Sequence, residues 1–497
     1  MVTKATERET IGAAEQAAVR DQVCGCVLRR CREAFAGDLR SLVLTGSMAR
    51  NEATIRIAST RQGAAENREL RTENSLETGN GKRETFLKVL GDVDFILVFH
   101  DRHALPHSRL VAAVMAGCEA DLRDAGIDAH LSMATVHGNY FQQLPPHIFS
   151  YELRASGRVI WGDADILQLV PEFAPQALSL EDAWRMLSNR MTEWLKEAAA
   201  NTSNQQPATS NQQENARQFT ENRELRTGNS LYYATLKLYL DMATSLLVFL
   251  RAYEPSYRAR AEKLQDLAQS QSGKFNPPFP LHDFVQRVSE CTEWKVGGPC
   301  LESAGYQGNL PQAQGKFAAV PASEAKAGSD PCLTDWQSAI DYACRLWVWE
   351  LAQLTAVSSF AFPVSRAEGE GADPLETGNW KLETLFKALA NQQTFAQKLR
   401  GWLYVVRREG WLHSMPHWPR WLRMMCRCTP RYGVYYAAFQ LISRLPAVLS
   451  EDVQEVTSIR QRVNNLLPVS TFTGASWQPL AAQIVWNYRS FVVETRA

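Results

Sequence analysis

Runs of apolar residues divide the chain into a first part with strand signals and a longer second part with helix signals. Leu42–Thr45 and Gly91–Phe99 are short apolar runs beside glycine, which is typical of buried strands. Residues 126–133 alternate between apolar and polar side chains, which predicts a half-buried strand, and residues 108–125 before them predict a helix. Beyond about residue 175 the apolar positions recur at helical spacing. The pattern predicts an α+β fold, with a small mixed sheet followed by a mostly helical C-terminal region.

Carboxylates stand at the start of the second apolar run. Asp92 and Asp94 project from the same side of this strand, because side chains alternate between faces. Two carboxylates held there form a hard oxygen site suited to Mg²⁺. Asp128, in the third strand, is the candidate for a third carboxylate; the alternative is that it only begins a strand near the surface. We interpret His130, on the same face, as a neighbour of the site, since Mg²⁺ prefers oxygen to imidazole.

A sharp turn is predicted where the first apolar run ends, at Gly46 and Ser47. Glycine allows the backbone to turn there, and the backbone amides and the Ser47 hydroxyl can hold phosphate oxygens. A pair of metal ions beside such a phosphate-binding turn is the minimum that phosphoryl or nucleotidyl transfer requires.

The two motifs together, Gly-Ser-x-x-Arg-x-Glu and Gly-Asp-h-Asp-h-h-h (h is apolar), resemble the nucleotidyltransferase superfamily with a DNA polymerase β-type palm. The resemblance covers roughly residues 20 to 165. It implies that Gly46 and Ser47, with Arg50 of the same motif, bind a nucleoside triphosphate. It also implies that Asp92 and Asp94 hold two Mg²⁺ or Mn²⁺ ions, with a third carboxylate on a later strand.

The spacing of the two motifs departs from the family pattern, because a long polar stretch containing repeats separates them. Glu66–Thr72 recurs verbatim as Glu221–Thr227, and Leu76–Thr85 recurs with two differences as Leu375–Thr384. The uneven spacing argues against a solenoid, whose repeats stack at a fixed period. Polar segments of this kind cannot bury enough apolar area to offset their ordering entropy.

We therefore predict three low-complexity repeat insertions, near residues 56–88, 200–230 and 365–388, as mobile excursions from the surface. Removing the first insertion restores the compact motif of the family. A doubling of loop length costs only about 0.6 kcal/mol, so the fold can survive such insertions.

The apolar helix predicted over residues 231–253 carries Lys237 and Asp241 one turn apart. One interpretation is an internal ion pair within a core helix. The other is that Lys237 reaches the phosphates of the nucleotide as a mobile point charge.

Residues 398–436 combine eight basic residues with interleaved tryptophans and tyrosines. Such a surface can stack and neutralise a single-stranded nucleic acid. The interpretation that we favour is a helical bundle, with core aromatics and arginines that extend to water.

Length and composition fit a globular protein of several domains. The 497 residues are 45% hydrophobic and 21% charged, and 53 basic residues balance 53 acidic ones, which disfavours a duplex-DNA-binding surface. The ten cysteines form no zinc pattern, and with no apolar leader segment the chain is predicted to be cytoplasmic, with no membrane partner. The predicted organisation is a nucleotidyltransferase domain (1–175), a helical domain (176–264), a linker (265–332) and a helical C-terminal region (333–497).

Two classes of function follow. The first is a metal-dependent nucleotidyltransferase that moves a nucleoside monophosphate to an acceptor hydroxyl. The acceptor is a small molecule, a protein or an RNA, and a nucleic acid is not favoured. The second is a non-catalytic nucleotide-binding or interaction protein, degraded by its insertions. Crowded acids without a cation are costly, which favours the first class.

Overall fold

A computed structural model describes most of the chain as two compact units. The first unit contains the described residues up to Ser179, and the chain returns to it at Glu254–Arg260 and again from Thr292. The second unit contains the other described residues. The described ranges are 12–61, 83–203, 213–270, 277–297, 336–355, 379–410, 414–449, 453–470 and 476–493.

The first unit is built on a small mixed sheet. Its strands are β1 (Leu39–Thr45), β2 (Thr54–Arg61), β3 (Arg83–Phe99), β4 (Ile127–His137) and β5 (Arg158–Gly162). The strand order is β2-β3-β1-β5, and β4 pairs with β3 outside this order. The β3–β4 pairing is parallel and the other pairings are antiparallel. The predicted strands and the α+β class are thus confirmed.

Helices cover both faces of this sheet. They are α1 (Ala13–Phe35), α2 (Gly46–Ala49), α3 (Ser108–Asp124), α4 (Gly138–Gln142) and α5 (Ile148–Ser156), with 3₁₀ turns at Ala36–Asp38, Ile166–Leu169 and Pro175–Ala177. Leu42 and Leu44 pack into the core beneath α1 and α3, whereas Val43 packs with Phe141 and Leu153 on the other face. Burial on both faces explains why β1 is a continuous apolar run.

The described secondary-structure elements of the second unit are all helices or helical turns. Its helices begin with α6 (Leu180–Ser203), α7 (Gln213–Phe249), α8 (Tyr257–Gln269), α9 (Leu281–Gly297) and α10 (Trp336–Leu354), where α8 starts and α9 ends in the first unit. They continue with α11 (Asn379–Gln392), α12 (Phe395–Glu409), α13 (Trp418–Arg427), α14 (Pro430–Ile442), α15 (Leu445–Leu449), α16 (Val453–Asn464) and α17 (Trp477–Tyr488). A 3₁₀ turn at Met415–His417 and a π turn at Arg489–Val493 complete the described elements.

Aromatic side chains form much of the core of the second unit. The Trp184 ring lies 5.3 Å from that of Trp347 and 5.2 Å from that of Tyr432. In the basic stretch, Trp402 and Trp421 are buried together, with ring centroids 6.0 Å apart. Lys398 is buried as well, and its ammonium donates to the Arg427 carbonyl. These contacts agree with the bundle interpretation of this stretch.

The interpretation of the end residues of the three predicted insertions is wrong, because these residues belong to strands and helices. Residues 56–61 and 83–88 form the ladder of the β2–β3 hairpin, in which Ile57 pairs with Leu87. Residues 213–230 belong to α7, and residues 379–388 belong to α11, where Leu385 is buried. In the hairpin and in α11, the pairing of Ile57 with Leu87 and the burial of Leu385 offset the cost of ordering these ends. The remaining residues, 62–82, 204–212 and 365–378, lie outside the described part of the chain.

The predicted linker also contains regular structure. Leu281–Gly297 is a helix that buries Phe284, Val285 and Val288 at helical spacing. The rest of the linker from residue 298 lies outside the described residues. The cysteines that the structure describes are free thiols. Among the described helices, none combines the length and the hydropathy that crossing a bilayer requires.

Candidate functional site

The two sequence motifs meet at the end of β1. Thr45, the last residue of β1, pairs with Asp94 of β3, and Gly46 follows it with a φ of +73°. A Cβ atom on Gly46 would lie 2.8 Å from Oδ2 of Asp94. Glycine is favoured at residue 46 for two reasons: it adopts this φ without strain, and a Cβ atom there would displace the Asp94 carboxylate. The Gly-Ser turn and the second aspartate are direct neighbours.

Asp92 and Asp94 lie on one face of β3, as predicted. Val93 and Phe95, between and after them, point into the core under α1 and α3. Asp92 is exposed and Asp94 is half-buried. Two carboxylates on one face present the hard oxygen donors that suit Mg²⁺. The donor set of this pair fits the metal that the sequence predicts.

Asp128 does not join this pair. It pairs with Lys88 in the β3–β4 ladder, and the two side chains are 3.9 Å apart, between Nζ and Oδ2. His130 and Ser132 lie opposite Asp92 and Asp94 in this ladder. An irregularity between Lys88 and Asp92 moves Asp128 further back along β3. In the described part of the chain, no group of three or more His, Cys, Asp or Glu side chains is placed to share a metal ion.

His130 occupies the ladder position opposite Asp92 instead. Its Nδ1 lies 2.9 Å from Oε1 of Glu119 on α3, and the same oxygen accepts a hydrogen bond from the Leu131 amide. Glu119 thus closes the outer edge of β4 and orients the imidazole. The interpretation of His130 as a neighbour of the acids agrees with this register. The role of Glu119 has no signal in the sequence, because it depends on how α3 packs against the strand.

Ser47 lies in a short turn held by backbone hydrogen bonds. Its carbonyl accepts from the Glu52 amide at 2.8 Å, and the Gly46 carbonyl accepts from the Arg50 amide at 3.4 Å. Ser47 is half-buried, and its hydroxyl makes no hydrogen bond with the residues that the structure describes. The hydroxyl therefore remains a donor for a ligand.

Arg50 is engaged by two carboxylates, which differs from its predicted role as a ligand of the triphosphate. Its Nε donates to Glu52 and its Nη1 donates to Glu152, each at 2.8 Å. Only 6% of the Arg50 side chain is exposed. Burial disfavours the charged form of Arg50 and so lowers its pKa. The interactions with Glu152, Tyr257 and Glu52 are stronger than this effect and hold the pKa of the guanidinium above its ordinary value. Arg50 thus braces the turn that carries Ser47.

The brace extends to a segment that is distant in sequence. Arg260 pairs with the other oxygen of Glu152, and the Tyr257 amide donates to Glu52 at 2.9 Å. The guanidinium groups of Arg50 and Arg260 lie 5.1 and 5.0 Å from the Tyr257 ring centroid. Sequence analysis missed this network. Its one signal is Glu52, which follows Arg50 at a fixed place in the first motif.

Lys237 belongs to the second unit, whereas the residues above belong to the first. Asp241, its predicted partner, accepts a hydrogen bond of 2.6 Å from Arg190 of α6. The Lys237 ammonium lies 4.8 Å from the Tyr233 ring centroid. Contact of Lys237 with nucleotide phosphates stays a prediction.

Comparison of the chain with protein-family models, with curated proteins and with solved structures gives no match in any of the three.

Proposed function

We propose that this protein is a metal-dependent nucleotidyltransferase, which moves a nucleoside monophosphate from a nucleoside triphosphate to an acceptor hydroxyl. The observation that supports it is the contact between the Gly-Ser turn and the paired carboxylates. Gly46 and Asp94 are far apart in sequence, yet a side chain at Gly46 would collide with the Asp94 carboxylate. A phosphate cradle directly beside a carboxylate pair is the arrangement that nucleotidyl transfer requires.

In the proposed reaction, the acceptor oxygen bonds to the α-phosphorus and the bond from that phosphorus to the bridging oxygen breaks. Pyrophosphate leaves, and the hydroxyl proton passes to a base. Ser47 would donate to the triphosphate from the turn at the end of β1. Asp92 and Asp94 would hold Mg²⁺ or Mn²⁺, and a bound divalent cation would neutralise the phosphate charge.

The brace around Arg50 contributes by positioning. A buried guanidinium between Glu52 and Glu152 fixes the turn that presents Ser47. A preorganised donor stabilises developing charge without reorganising during the reaction. Arg50 therefore acts through the position of Ser47.

The test is transfer of label from α-labelled nucleoside triphosphates, with Mg²⁺, to small molecules, RNA or the protein itself. Asp94→Asn should lower transfer by roughly 100-fold, the usual cost of removing one group that stabilises transition-state charge. Asp128→Asn is the matched control and should retain activity, because Asp128 pairs with Lys88.

The same variants separate binding from catalysis. Mg²⁺ with nucleotide should raise the melting temperature of the wild type and of Asp128→Asn, but much less that of Asp94→Asn. Absence of transfer, together with identical metal-independent melting in all three proteins, would favour the non-catalytic alternative. Loss of activity in Asp128→Asn alone would overturn the assignment of the site.

A further inference from the structure

A cavity of about 510 Å³ lies in the first unit, beside the turn that follows Ser47. Its walls are formed by the N-terminal half of α1, residues 50–52, Ser256, Arg258 and Val296. Sites for small molecules usually measure roughly 300–1,000 Å³, so the cavity has the size of a ligand site. Asp92, Asp94 and Ser47 are not among its lining residues.

Guanidinium groups dominate the polar lining. Arg20, Arg50 and Arg258 line the cavity, against the single carboxylate of Glu52. Arg50 and Glu52 are already bound to each other. The charge available to a ligand is therefore set by Arg20 and Arg258.

Arg20 is held in place at the cavity wall. Its Nη1 donates to the Asn51 amide oxygen at 2.6 Å, and its side chain is 17% exposed. Its acidic partner Asp21 is 70% exposed, so solvent screens that interaction. Because the oxygen of the Asn51 amide accepts from Arg20, its NH₂ group remains a donor.

Arg258 supplies a positive charge that no described carboxylate balances. It is exposed, and within the described ranges no carboxylate lies within ion-pair distance of it. By contrast, the neighbouring Arg260 is buried against Glu152. The cavity thus presents one guanidinium without a described ion pair, a second one whose only acidic partner is exposed, and an amide donor, which together are complementary to an anion.

We infer that this cavity binds a small molecule through a phosphate or carboxylate group, held by Arg258, Arg20 and the Asn51 amide. The site goes beyond the proposed function, because Ser47, Asp92 and Asp94 do not line it. A ligand here contacts Asn51, one residue after Arg50, and so stabilises the turn that carries Ser47. A polycationic ligand is disfavoured by the same charges.

The experiment measures the melting temperature in inorganic phosphate, citrate or spermidine, without metal and at constant ionic strength. The variants are Arg258→Gln and, as a matched control, Arg123→Gln, an exposed arginine on α3 that does not line the cavity. Phosphate or citrate should stabilise the wild type and Arg123→Gln. Arg258→Gln should need at least about tenfold more anion, as expected for loss of a charged hydrogen bond.

The comparison of the two anions identifies the ligand chemistry. Stabilisation by phosphate alone indicates a phosphate group, and stabilisation by citrate alone indicates a carboxylate group. Arg258→Lys should recover part of the effect by restoring the charge. Equal responses of Arg258→Gln and Arg123→Gln, no response of the wild type to either anion, or stabilisation by spermidine would each overturn the inference. Ser47→Ala should respond to the anions as the wild type does; loss of its response would place the anion at the turn instead.

Discussion

Gly46 and Asp94 are in such close contact that a methyl group at residue 46 would lie 2.8 Å from the Asp94 carboxylate oxygen. The relationship joins the end of β1 to the middle of β3 through their antiparallel register. It couples the position of the phosphate-binding turn to that of the carboxylate. Any side chain at residue 46 must move one of the two.

Gly46→Ala should therefore damage function more than stability. The positive φ alone costs about 1–2 kcal/mol for a residue with a side chain. Displacement of the carboxylate should lower nucleotidyl transfer by roughly 100-fold, the cost of a misplacement of about 1 Å. Gly126→Ala is the matched control, because Gly126 has a φ of +78° but a Cβ there would meet nothing within 4 Å. Equal transfer rates in the two variants would contradict the coupling.

Ser47→Ala should weaken triphosphate binding and leave stability unchanged. The turn is held by the Ser47 carbonyl, which the substitution keeps. A hydrogen bond to a charged ligand is worth about 1.5–3 kcal/mol, so the dissociation constant should rise roughly tenfold or more in titration calorimetry. Ser41→Ala should show the reverse, because Ser41 is buried and its hydroxyl accepts from the Asp163 amide at 3.0 Å. Unchanged affinity in Ser47→Ala would remove this serine from the site.

Arg260→Met should destabilise the first unit strongly. It leaves the Glu152 carboxylate half-paired in a buried network, and breaking a buried ion pair costs about 3–5 kcal/mol. Arg345→Met is the control, because Arg345 and Asp341 form an exposed pair one turn apart, which is worth at most about 1 kcal/mol. Urea denaturation measures both. Similar free energies of unfolding in the two variants would show that the network is not needed for stability.

Local patterns predicted the parts of the fold that depend on neighbouring residues. The apolar run of β1 and the run from Gly91 to Phe99 are strands as predicted, although β3 already begins at Arg83. The helical spacing predicted beyond about residue 175 agrees with α6, which buries Trp184 and Leu187 on one face. The alternation of side chains along a strand correctly predicted that Asp92 and Asp94 lie on one face of β3.

Features that depend on register and on distant segments were not predictable in this way. Asp128 was grouped with the two aspartates, but the register of β4 places His130 and Ser132 opposite them, and register has no local signature in the sequence. The partnership of Glu152 with Arg260 joins residues far apart in sequence. The β2–β3 hairpin was missed although Ile55 and Ile57 alternate with polar residues, because its polar surroundings were interpreted as an insertion. The nucleotidyltransferase activity stays a prediction.

Replacement of residues 62–82 by an Asn-Gly turn should preserve the fold. The ladder extends to the pair Arg61 and Arg83, so a two-residue type I′ turn can close the hairpin. A shorter loop should stabilise the protein by roughly 2 kcal/mol, from about 0.6 kcal/mol per halving of loop length. Urea denaturation and the transfer assay measure the outcome. A variant that unfolds would show that residues 62–82 contribute to the structure beyond connecting the strands.

Glu350 should make the stability of the second unit depend on pH. Its side chain is fully buried in α10, and neither carboxylate oxygen has a hydrogen bond of normal geometry to a residue in the described ranges. Burial raises its pKa from 4.5 to about 8, and Ser245 opposes this shift only in part. The folded state holds this proton more tightly than the unfolded state does. The contribution of Glu350 to the free energy of unfolding is therefore fully present below pH 4.5 and is lost as the pH rises towards 8.

Glu350→Gln should remove this dependence, because glutamine has a similar volume and no proton to lose. Its stability relative to the wild type should rise by about 1.4 kcal/mol per pH unit between pH 5 and about 8, and then stay constant. Glu383→Gln is the control, because Glu383 forms an exposed pair with Lys387 on α11 and should leave the pH profile of stability unchanged. The measurement is urea denaturation of the three proteins across this range. A constant difference between wild type and Glu350→Gln from pH 5 to 8 would show that Glu350 is ionised in the folded protein.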